Sequence, residues 1–189
     1  MKKGSKMDKR SARKEHSRAA LKAAFLELFQ TQDPEAISVV DLCEKARLNR
    51  STFYAHYNYM DRLIKEIIWE NVEEVYADLG TQWDLPLEDG GVDRKLIATY
   101  VRRFLNNPTL RRFCLCEGSE RYRMLITRAQ VEITLGVSPD PPKYYTAYFY
   151  NAGVLNFSLE WYNNGMPISE EKAVEIIHEF SKVMYRREN

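Results

Sequence analysis

The chain has 189 residues, of which 44% are hydrophobic and 12% aromatic, enough for one small and one medium-sized folded domain. Its formal net charge at pH 7 is only +1. No apolar run approaches the length of a membrane span, and the basic amino terminus is not followed by the apolar core of a signal peptide. We therefore expect a folded protein of the cytoplasm that has no membrane segment.

The small net charge hides a segregation along the chain. Residues 1–62 contain 13 Lys and Arg against 8 Asp and Glu, whereas residues 63–189 contain 15 against 19. Within the basic part, residues 1–10 are rich in Lys and lack an apolar pattern, so we predict a disordered basic arm. Such an arm could lie along DNA phosphates or enter a minor groove, or it could serve only as a solubilising tail.

An apolar stripe from Ser11 to Gln30 predicts the first helix. Its apolar residues recur three and four positions apart, and charged residues lie on the opposite face. Asp33 and Pro34 end this helix before the next pattern begins. The stripe consists of Ala20, Leu21, Ala24, Phe25, Leu28 and Phe29.

Residues 38–57, SVVDLCEKARLNRSTFYAHY, predict two short helices joined by a tight turn. Ser38 can accept a hydrogen bond from the first turn of the earlier helix, and Asp41 can answer it, which together make a capping box. The apolar face of this helix consists of Val39, Leu42, Cys43 and Ala46.

The second short helix begins after Asn49, a good N-cap residue, and Phe53 and Tyr57 define its buried face. Its remaining side chains offer hydrogen-bond donors, acceptors and flat rings, so the helix could enter a DNA major groove. An ordinary helical hairpin with a polar outside is the alternative interpretation. The outward side chains are Arg50, Ser51, Thr52, Tyr54 and His56.

At these residues the sequence resembles the TetR family of bacterial transcription regulators. That family ends its recognition helix in the pattern Thr, apolar, Tyr, any residue, His or Tyr, aromatic, and residues 52–57, TFYAHY, match it position by position. The resemblance covers residues 11–70. It implies an all-α protein in which a three-helix helix-turn-helix DNA-binding domain at 11–62 is joined by a long helix to a helical effector-binding and dimerisation domain at 63–189.

The resemblance also implies which side chains face DNA, with Arg50 best suited to guanine and Ser38 and Tyr54 to phosphates. The family commonly has Gly in the turn where this chain has Arg47. In the left-handed conformation Arg47 would cost about 1 kcal/mol, which its charge near a phosphate backbone could offset. The residues predicted to bind DNA are Ser38, Arg47, Asn49, Arg50, Ser51, Thr52, Tyr54 and His56.

Asn58 and Asp61 predict the start of a long helix that continues through Leu79. This helix belongs to both predicted domains and is a candidate lever between them. A loop follows from Gly80 to Gly91.

Three helices are predicted next, at about 92–106, 108–116 and 119–136, with Ser119 as an N-cap and Gly136 as a stop. Between Arg102 and Arg128 lie seven arginines and only two acidic residues. This window could bind an anionic effector or an acidic protein surface, or it could be a solvated face paired with acidic residues of 66–93.

By resemblance, this half holds a pocket for an unknown small-molecule effector, between the long helix and the three that follow. Aromatic residues at helical spacing are more often core than pocket. The candidate lining residues are Trp69, Tyr76, Tyr100, Phe104, Phe113 and Tyr122.

The helix predicted at 143–164 is apolar on all sides, so its outer face is expected to pack on a second copy of the chain, together with the last helix after Ser169. TetR-like proteins use their last two long helices in this way, and the segment WYNNGMPISEE resembles a subgroup that includes regulators of dihydroxyacetone kinase operons. The predicted dimer residues are Tyr148, Phe149, Leu155, Leu159, Ile177, Phe180 and Met184.

Together with these patterns, the resemblance implies a homodimer that binds an inverted-repeat operator and is released or modulated by an effector. A TetR-like regulator that acts through a protein partner, with little DNA affinity of its own, is the alternative. An enzyme is not expected, because His16, His56 and His178 lie far apart in sequence and no Gly-rich phosphate loop is present. No metal or cofactor is expected either, because Cys114 and Cys116 have no second ligand pair nearby.

Overall fold

The structure, a computed structural model, describes residues 4–77, 79, 87–88, 90–136 and 140–185. The chain divides into two compact units, Met1–Ile67 and Ile68–Asn189. The boundary falls inside a helix, five residues after the predicted domain boundary at 62. The described residues are almost entirely helical, which confirms the all-α prediction.

Unit 1 is built from four helical segments and one short turn of 3-10 helix. The apolar stripe predicted for the first helix packs against the two short helices, and Leu21, Phe25, Leu42 and Phe53 are fully buried between them. The elements are α1 (Gly4–Phe29), the 3-10 turn (Pro34–Ala36), α2 (Val39–Ala46), α3 (Arg50–His56) and the first part of α4 (Met60–Tyr76).

The described residues of unit 2 form the rest of α4, a short hairpin and five further helices. Its core includes Phe104, Phe113, Tyr122, Ile126 and Leu155, all fully buried. The elements are β1 (Leu87–Glu88), β2 (Gly91–Val92), α5 (Arg94–Asn106), α6 (Pro108–Leu115), α7 (Ser119–Leu135), α8 (Pro141–Asn163) and α9 (Glu170–Met184).

The start of α1 differs from the prediction. The helix begins at Gly4, so residues 4–10 continue it where a disordered arm was predicted, and residues 1–3 lie outside the described part. Lys, Met and Arg are good helix formers, and each residue added to an existing helix gains a hydrogen bond without a new nucleation cost. Residues 4–10 can therefore extend α1 without an apolar stripe of their own.

Two predicted helix starts are shifted. α4 begins at Met60, and the carbonyl of Tyr59 accepts from the Arg62 N–H at 3.2 Å, so Asn58 is not the N-cap. Ser119 is the first residue of α7, and Gly118 precedes it with φ +68°. The left-handed conformation of Gly118 allows a sharp chain reversal without a side-chain cap.

The loop predicted at 80–91 lies largely outside the described residues. In its described part, β1 and β2 form an antiparallel pair, and β2 is bonded to α9. The Val92 N–H donates to Ser181 Oγ at 2.7 Å, and His178 Nδ1 lies 2.8 Å from the Val92 carbonyl oxygen. A Cβ at Gly91 would lie 2.7 Å from Ser181 Oγ and 2.9 Å from the His178 carbonyl oxygen. Only glycine therefore allows this close approach.

No helix in the described ranges is both long and apolar enough to cross a membrane. The same residues contain no group of three His, Cys, Asp or Glu side chains that could hold a metal ion.

Candidate functional site

A capping box fixes the start of α2, as predicted. The Asp41 N–H donates to Ser38 Oγ at 3.1 Å, and the Ser38 N–H donates to Asp41 Oδ2 at 3.3 Å. The Ser38 hydroxyl also lies 2.6 Å from Asp41 Oδ2, to which it donates. Because a hydroxyl has one hydrogen, Ser38 as found here stabilises the helix start and has no hydrogen left for a phosphate.

The turn between α2 and α3 is left-handed at Arg47, with φ 54° and ψ 42°. The Leu48 N–H donates to the Cys43 carbonyl at 2.9 Å, and the Arg47 N–H donates to the Glu44 carbonyl at 3.1 Å. These two bonds form a Schellman motif, which usually has Gly where this chain has Arg47. The left-handed conformation that this motif requires is therefore reached at a cost in backbone strain.

Helix α3 presents a polar side to solvent and is anchored by its aromatic residues. Phe53 is fully buried and Tyr57, immediately after the helix, is 4% exposed, as predicted. Asn49 precedes the helix as predicted, although its side chain makes no capping hydrogen bond. Of the residues predicted to bind DNA on this segment, Asn49, Arg50, Ser51 and Tyr54 are exposed, and Thr52 and His56 are half-buried.

His56 is bonded within unit 1. Its Nε2 lies 2.7 Å from Ser17 Oγ in α1, and Ser17 Oγ donates to the Lys14 carbonyl at 2.9 Å. Because the single hydroxyl hydrogen of Ser17 is used on Lys14, His56 Nε2 must be the donor. Burial lowers the pKa of His56, and the nearby charges of Lys14 and Arg18 lower it further. This bond ties the end of α3 to α1, and nothing in the sequence pattern pointed to it.

A half-buried carboxylate, that of Glu66, links α1 to α4 beneath the same region. Arg18 donates to Glu66 through Nε at 2.7 Å and through Nη2 at 2.6 Å, and Lys22 Nζ lies 3.1 Å from Glu66 Oε1. Burial alone would raise the pKa of Glu66, but the hydrogen bonds from Arg18 and Lys22 lower it overall. Burial raises the pKa of the neighbouring Tyr57 to about 12. The paired charges therefore hold the first part of α4 against α1 within unit 1.

Unit 2 contains a cavity of about 50 Å³. It lies where the ends of several elements meet, including Tyr76 at the end of α4 and Tyr185 just after α9. Two of the six predicted lining residues, Tyr76 and Tyr100, are in its wall. The wall consists of Tyr76, Val92, Leu96, Ile97, Tyr100, Thr134, Leu135, Ala147, Tyr150, Asn151, Val154 and Tyr185.

The other four predicted lining residues lie elsewhere. Phe104, Phe113 and Tyr122 are fully buried in the core, where Phe113 packs on Tyr122 with ring centroids 5.2 Å apart. Trp69 is half-exposed and donates through Nε1 to Glu73 at 3.1 Å. The prediction missed Tyr150, which lines the cavity from the same face of α8 as Ala147 and Val154.

Helices α8 and α9 expose apolar side chains beside one another. Phe149 is 60% exposed and Phe180 is 44% exposed, and their rings stack with centroids 6.4 Å apart. We call the group the α8–α9 apolar face. It consists of Tyr145, Phe149, Ile176, Phe180 and Val183.

Only some of the residues predicted for the dimer lie on this face. Leu155, Leu159 and Ile177 are buried within the chain itself and are therefore not part of this exposed face. They fill the space between α8 and its neighbours in unit 2. Phe149 and Phe180 are exposed, and Tyr148 and Met184 are half-buried.

Several arginines between 102 and 128 bond, among the described residues, to groups other than the acidic side chains proposed for them. Arg102 pairs with Glu170 at 2.5 Å. Arg103 donates to the carbonyls of Val75 and Ala77, and Arg111 donates to the hydroxyl of Tyr162. In the part of the chain that the structure describes, the partners of these three are not acidic side chains of 66–93.

No protein-family model matches the chain, but individual known proteins are similar to it. An uncharacterised HTH-type transcriptional regulator of Bacillus subtilis strain 168, YxbF, is 34% identical over 64 residues, which are 33% of this chain. The match spans only 17% of that relative's length.

Two solved structures are similar over most of the chain. A tetR-family transcriptional regulator from Streptomyces coelicolor has a TM-score of 0.49 at 14% identity, covering 88% of this chain and 79% of that one. A TetR transcriptional regulator from Rhodococcus sp. RHA1 has a TM-score of 0.52 at 10% identity, covering 92% of this chain and 98% of that one. At this identity, the second similarity establishes the fold.

Proposed function

We propose that this chain, whose fold is that of the TetR-family regulators, is a DNA-binding transcription regulator that works as a homodimer on an inverted-repeat operator. The single observation that carries the proposal is the polar, exposed side of α3, held in place from behind by Phe53 and Tyr57. A short rigid helix with this outer face fits the width of a major groove.

Arg50 is the best candidate on α3 for reading a base. It is exposed at the first position of the helix, and an arginine can donate two parallel hydrogen bonds to a guanine edge. Tyr54, 56% exposed, is better suited to a phosphate. We assign Ser38 and His56 to the support of α2 and α3 rather than to DNA, because their side chains bond within unit 1.

The exposed basic residues of α1 supply a second kind of DNA contact. Lys9, Arg10, Arg13 and Lys14 are exposed, and Lys14 lies close enough to His56 to lower its pKa. The basic part of α1 therefore lies near the end of α3. Charges in that position favour DNA phosphates without reading sequence.

Dimerisation through the α8–α9 apolar face would supply the two-fold symmetry. Five large apolar side chains on two adjacent helices are costly to leave in water, and a second copy offers the same face. Two recognition helices related in this way contact half-sites about 34 to 36 Å apart, or more on a longer operator. A small molecule in the cavity of unit 2 would then modulate binding.

The direct test is a fluorescence-anisotropy titration of the chain's own upstream DNA and of a shuffled duplex of equal length. We expect the upstream duplex to bind at least about 1,000-fold more tightly. Both titrations are repeated at about 50 and 200 mM salt. Binding should be much weaker at the higher salt concentration, because phosphate contacts release counterions from the DNA.

Equal, weak binding to both duplexes would contradict the proposal. It would instead favour a TetR-like regulator that acts through a protein partner. A strong upstream preference excludes that alternative as the main mode of action.

A further inference from the structure

The wall of the unit 2 cavity contains no charged side chain among the described residues. Its polar groups are phenols, one amide and one hydroxyl, and the rest of the wall is apolar. A carboxylate or an ammonium group would lose its hydration there without gaining a counter-charge, which is strongly unfavourable. The wall therefore selects for uncharged molecules.

The four tyrosines of the wall pack against one another in two pairs. Tyr76 and Tyr100 have ring centroids 5.6 Å apart, and Tyr150 and Tyr185 have centroids 5.5 Å apart with the rings nearly perpendicular. A cage for a cation instead turns its ring faces toward a common centre. Because the rings pack in pairs, we expect the tyrosines to recognise a ligand through their hydroxyl groups and not through cation–π contacts.

One hydroxyl of the wall has a hydrogen to spare. Gln130, 1% exposed, donates from Nε2 to the Tyr100 hydroxyl at 2.5 Å, so Tyr100 accepts this bond and keeps its own hydrogen. By contrast, the Tyr76 hydroxyl donates to Asn151 Oδ1 at 3.3 Å. Burial raises the pKa of Tyr100 and of Tyr76, so both remain protonated at neutral pH.

We infer that the cavity binds small, uncharged molecules that carry a hydrogen-bond acceptor such as a carbonyl oxygen, that Tyr100 donates to this acceptor, and that Gln130 orients Tyr100. A ligand oxygen would complete a chain of hydrogen bonds from Gln130 through Tyr100, in which each bond strengthens the next. The inference rests on the proposed function, because the bound molecule would be the effector of the regulator.

The size of the cavity limits the ligand further. A cavity needs about 10 to 15 Å³ to hold one water molecule, and the volume here is about 50 Å³. A single small ring is therefore a suitable probe. We choose four probes of similar size: cyclopentanone, methylenecyclopentane, cyclopentanecarboxylate and cyclopentylammonium.

The test measures the dissociation constant of each probe for the full chain without DNA, from shifts of ¹³C-labelled tyrosine rings in NMR titrations. We expect cyclopentanone to bind at least about 10-fold more tightly than either ion. Tyr100→Phe should weaken the binding of cyclopentanone about 5-fold, because it removes one hydrogen bond and keeps the ring. The binding of methylenecyclopentane, which has no acceptor, should not change. Tyr144→Phe, outside the cavity wall, is the matched control and should change neither constant.

The inference is overturned if either ion binds as tightly as the ketone, if Tyr100→Phe weakens both neutral probes equally, or if no probe binds at millimolar concentration. The affinities of the two ions and of the ketone are compared on the unaltered chain. This part of the test therefore remains valid even if the Tyr100→Phe variant does not fold. Because DNA is absent, this result and the outcome of the operator titration are independent of each other.

Discussion

At the scale of single residues, the turn at Arg47 carries backbone strain that the sequence already indicated. A side chain with a Cβ is held at φ 54°, where glycine is normally preferred. The bonds of the Schellman motif stabilise this turn against the strain. Arg47 is exposed, so its side chain makes no compensating contribution to the core.

We therefore predict that Arg47→Gly raises the free energy of unfolding by about 1 kcal/mol. Arg47→Ala is the control, since it removes the charge but keeps the Cβ and hence the strain. Urea denaturation followed by circular dichroism measures both variants. A glycine variant no more stable than the alanine variant would show that the turn is not strained.

A second residue-scale prediction concerns Arg50. Arg50→Ala should weaken binding to the preferred operator by about 1 to 3 kcal/mol and relax the preference at one base pair. Anisotropy titrations against single-base operator variants measure both effects. An equal loss of binding affinity for all duplexes would mean that Arg50 contacts only phosphate.

The sequence could identify the polar side of α3, but not which of its polar groups are already in use. Ser38 and His56 have the residue types of DNA contacts, yet one caps α2 and the other bonds to α1. The partner of His56 is 39 residues away in the chain. Helical periodicity reports which way a side chain points and carries no information about such a distant partner.

At the scale of the element, the attachment of α4 to α1 depends on the charge of Glu66. Its folded-state pKa is lowered overall, so the ionised form is favoured by folding. The stabilisation is therefore fully present above the ordinary carboxyl pKa of about 4.5 and is lost as the pH falls through the lower folded-state value.

Glu66→Gln should accordingly lower the unfolding temperature at pH 7, and the difference from the unaltered chain should shrink as the pH falls below about 4.5. Glu74→Gln, at an exposed position of the same helix, is the control and should change the unfolding temperature little. Differential scanning calorimetry across pH 3 to 7 tests the pair. A pH-independent difference would assign the effect of Glu66→Gln to packing rather than to charge.

Some helix ends could be predicted from the sequence, because caps are local. Ser38 and Ser169 cap α2 and α9 as predicted, and Gly136 ends α7. The β1–β2 hairpin could not be predicted in this way. It exists because of bonds to α9, which lies about 90 residues later in the chain.

At the scale of the whole molecule, the α8–α9 apolar face is where a second copy is expected to bind. We predict that Phe180→Asp converts a dimer into a monomer, because it places an uncompensated charge in the centre of the interface. Sedimentation-velocity ultracentrifugation at several concentrations measures the association state.

Met124→Asp is the matched control for that experiment. Met124 is 52% exposed on α7, outside the α8–α9 apolar face, so its replacement should leave the dimer intact. If both variants dimerise like the unaltered chain, the interface lies elsewhere.

The sequence predicted that α8 must be covered on all sides, but not which side faces outward. Leu155 and Leu159 have the same apolar character as Phe149, yet the first two are buried by unit 2 and the third is exposed. The lining of the cavity could not be predicted for the same reason. Tyr150 and Phe113 are both aromatic residues at helical spacing, yet only Tyr150 lines the cavity. Only the tertiary packing decides which aromatic residue meets an empty space.

The close packing of Gly91 against α9 restricts which residues can replace it in related proteins. Even an alanine there would press against the hydroxyl of Ser181 and the backbone of α9, so mutational tolerance at this position should be among the lowest in unit 2. Homologues that keep the hairpin against the last helix would be expected to share this glycine, while those with a bulkier residue would need a different carboxyl-terminal arrangement. A single position could thus serve as a marker that sorts newly sequenced relatives into two structural groups.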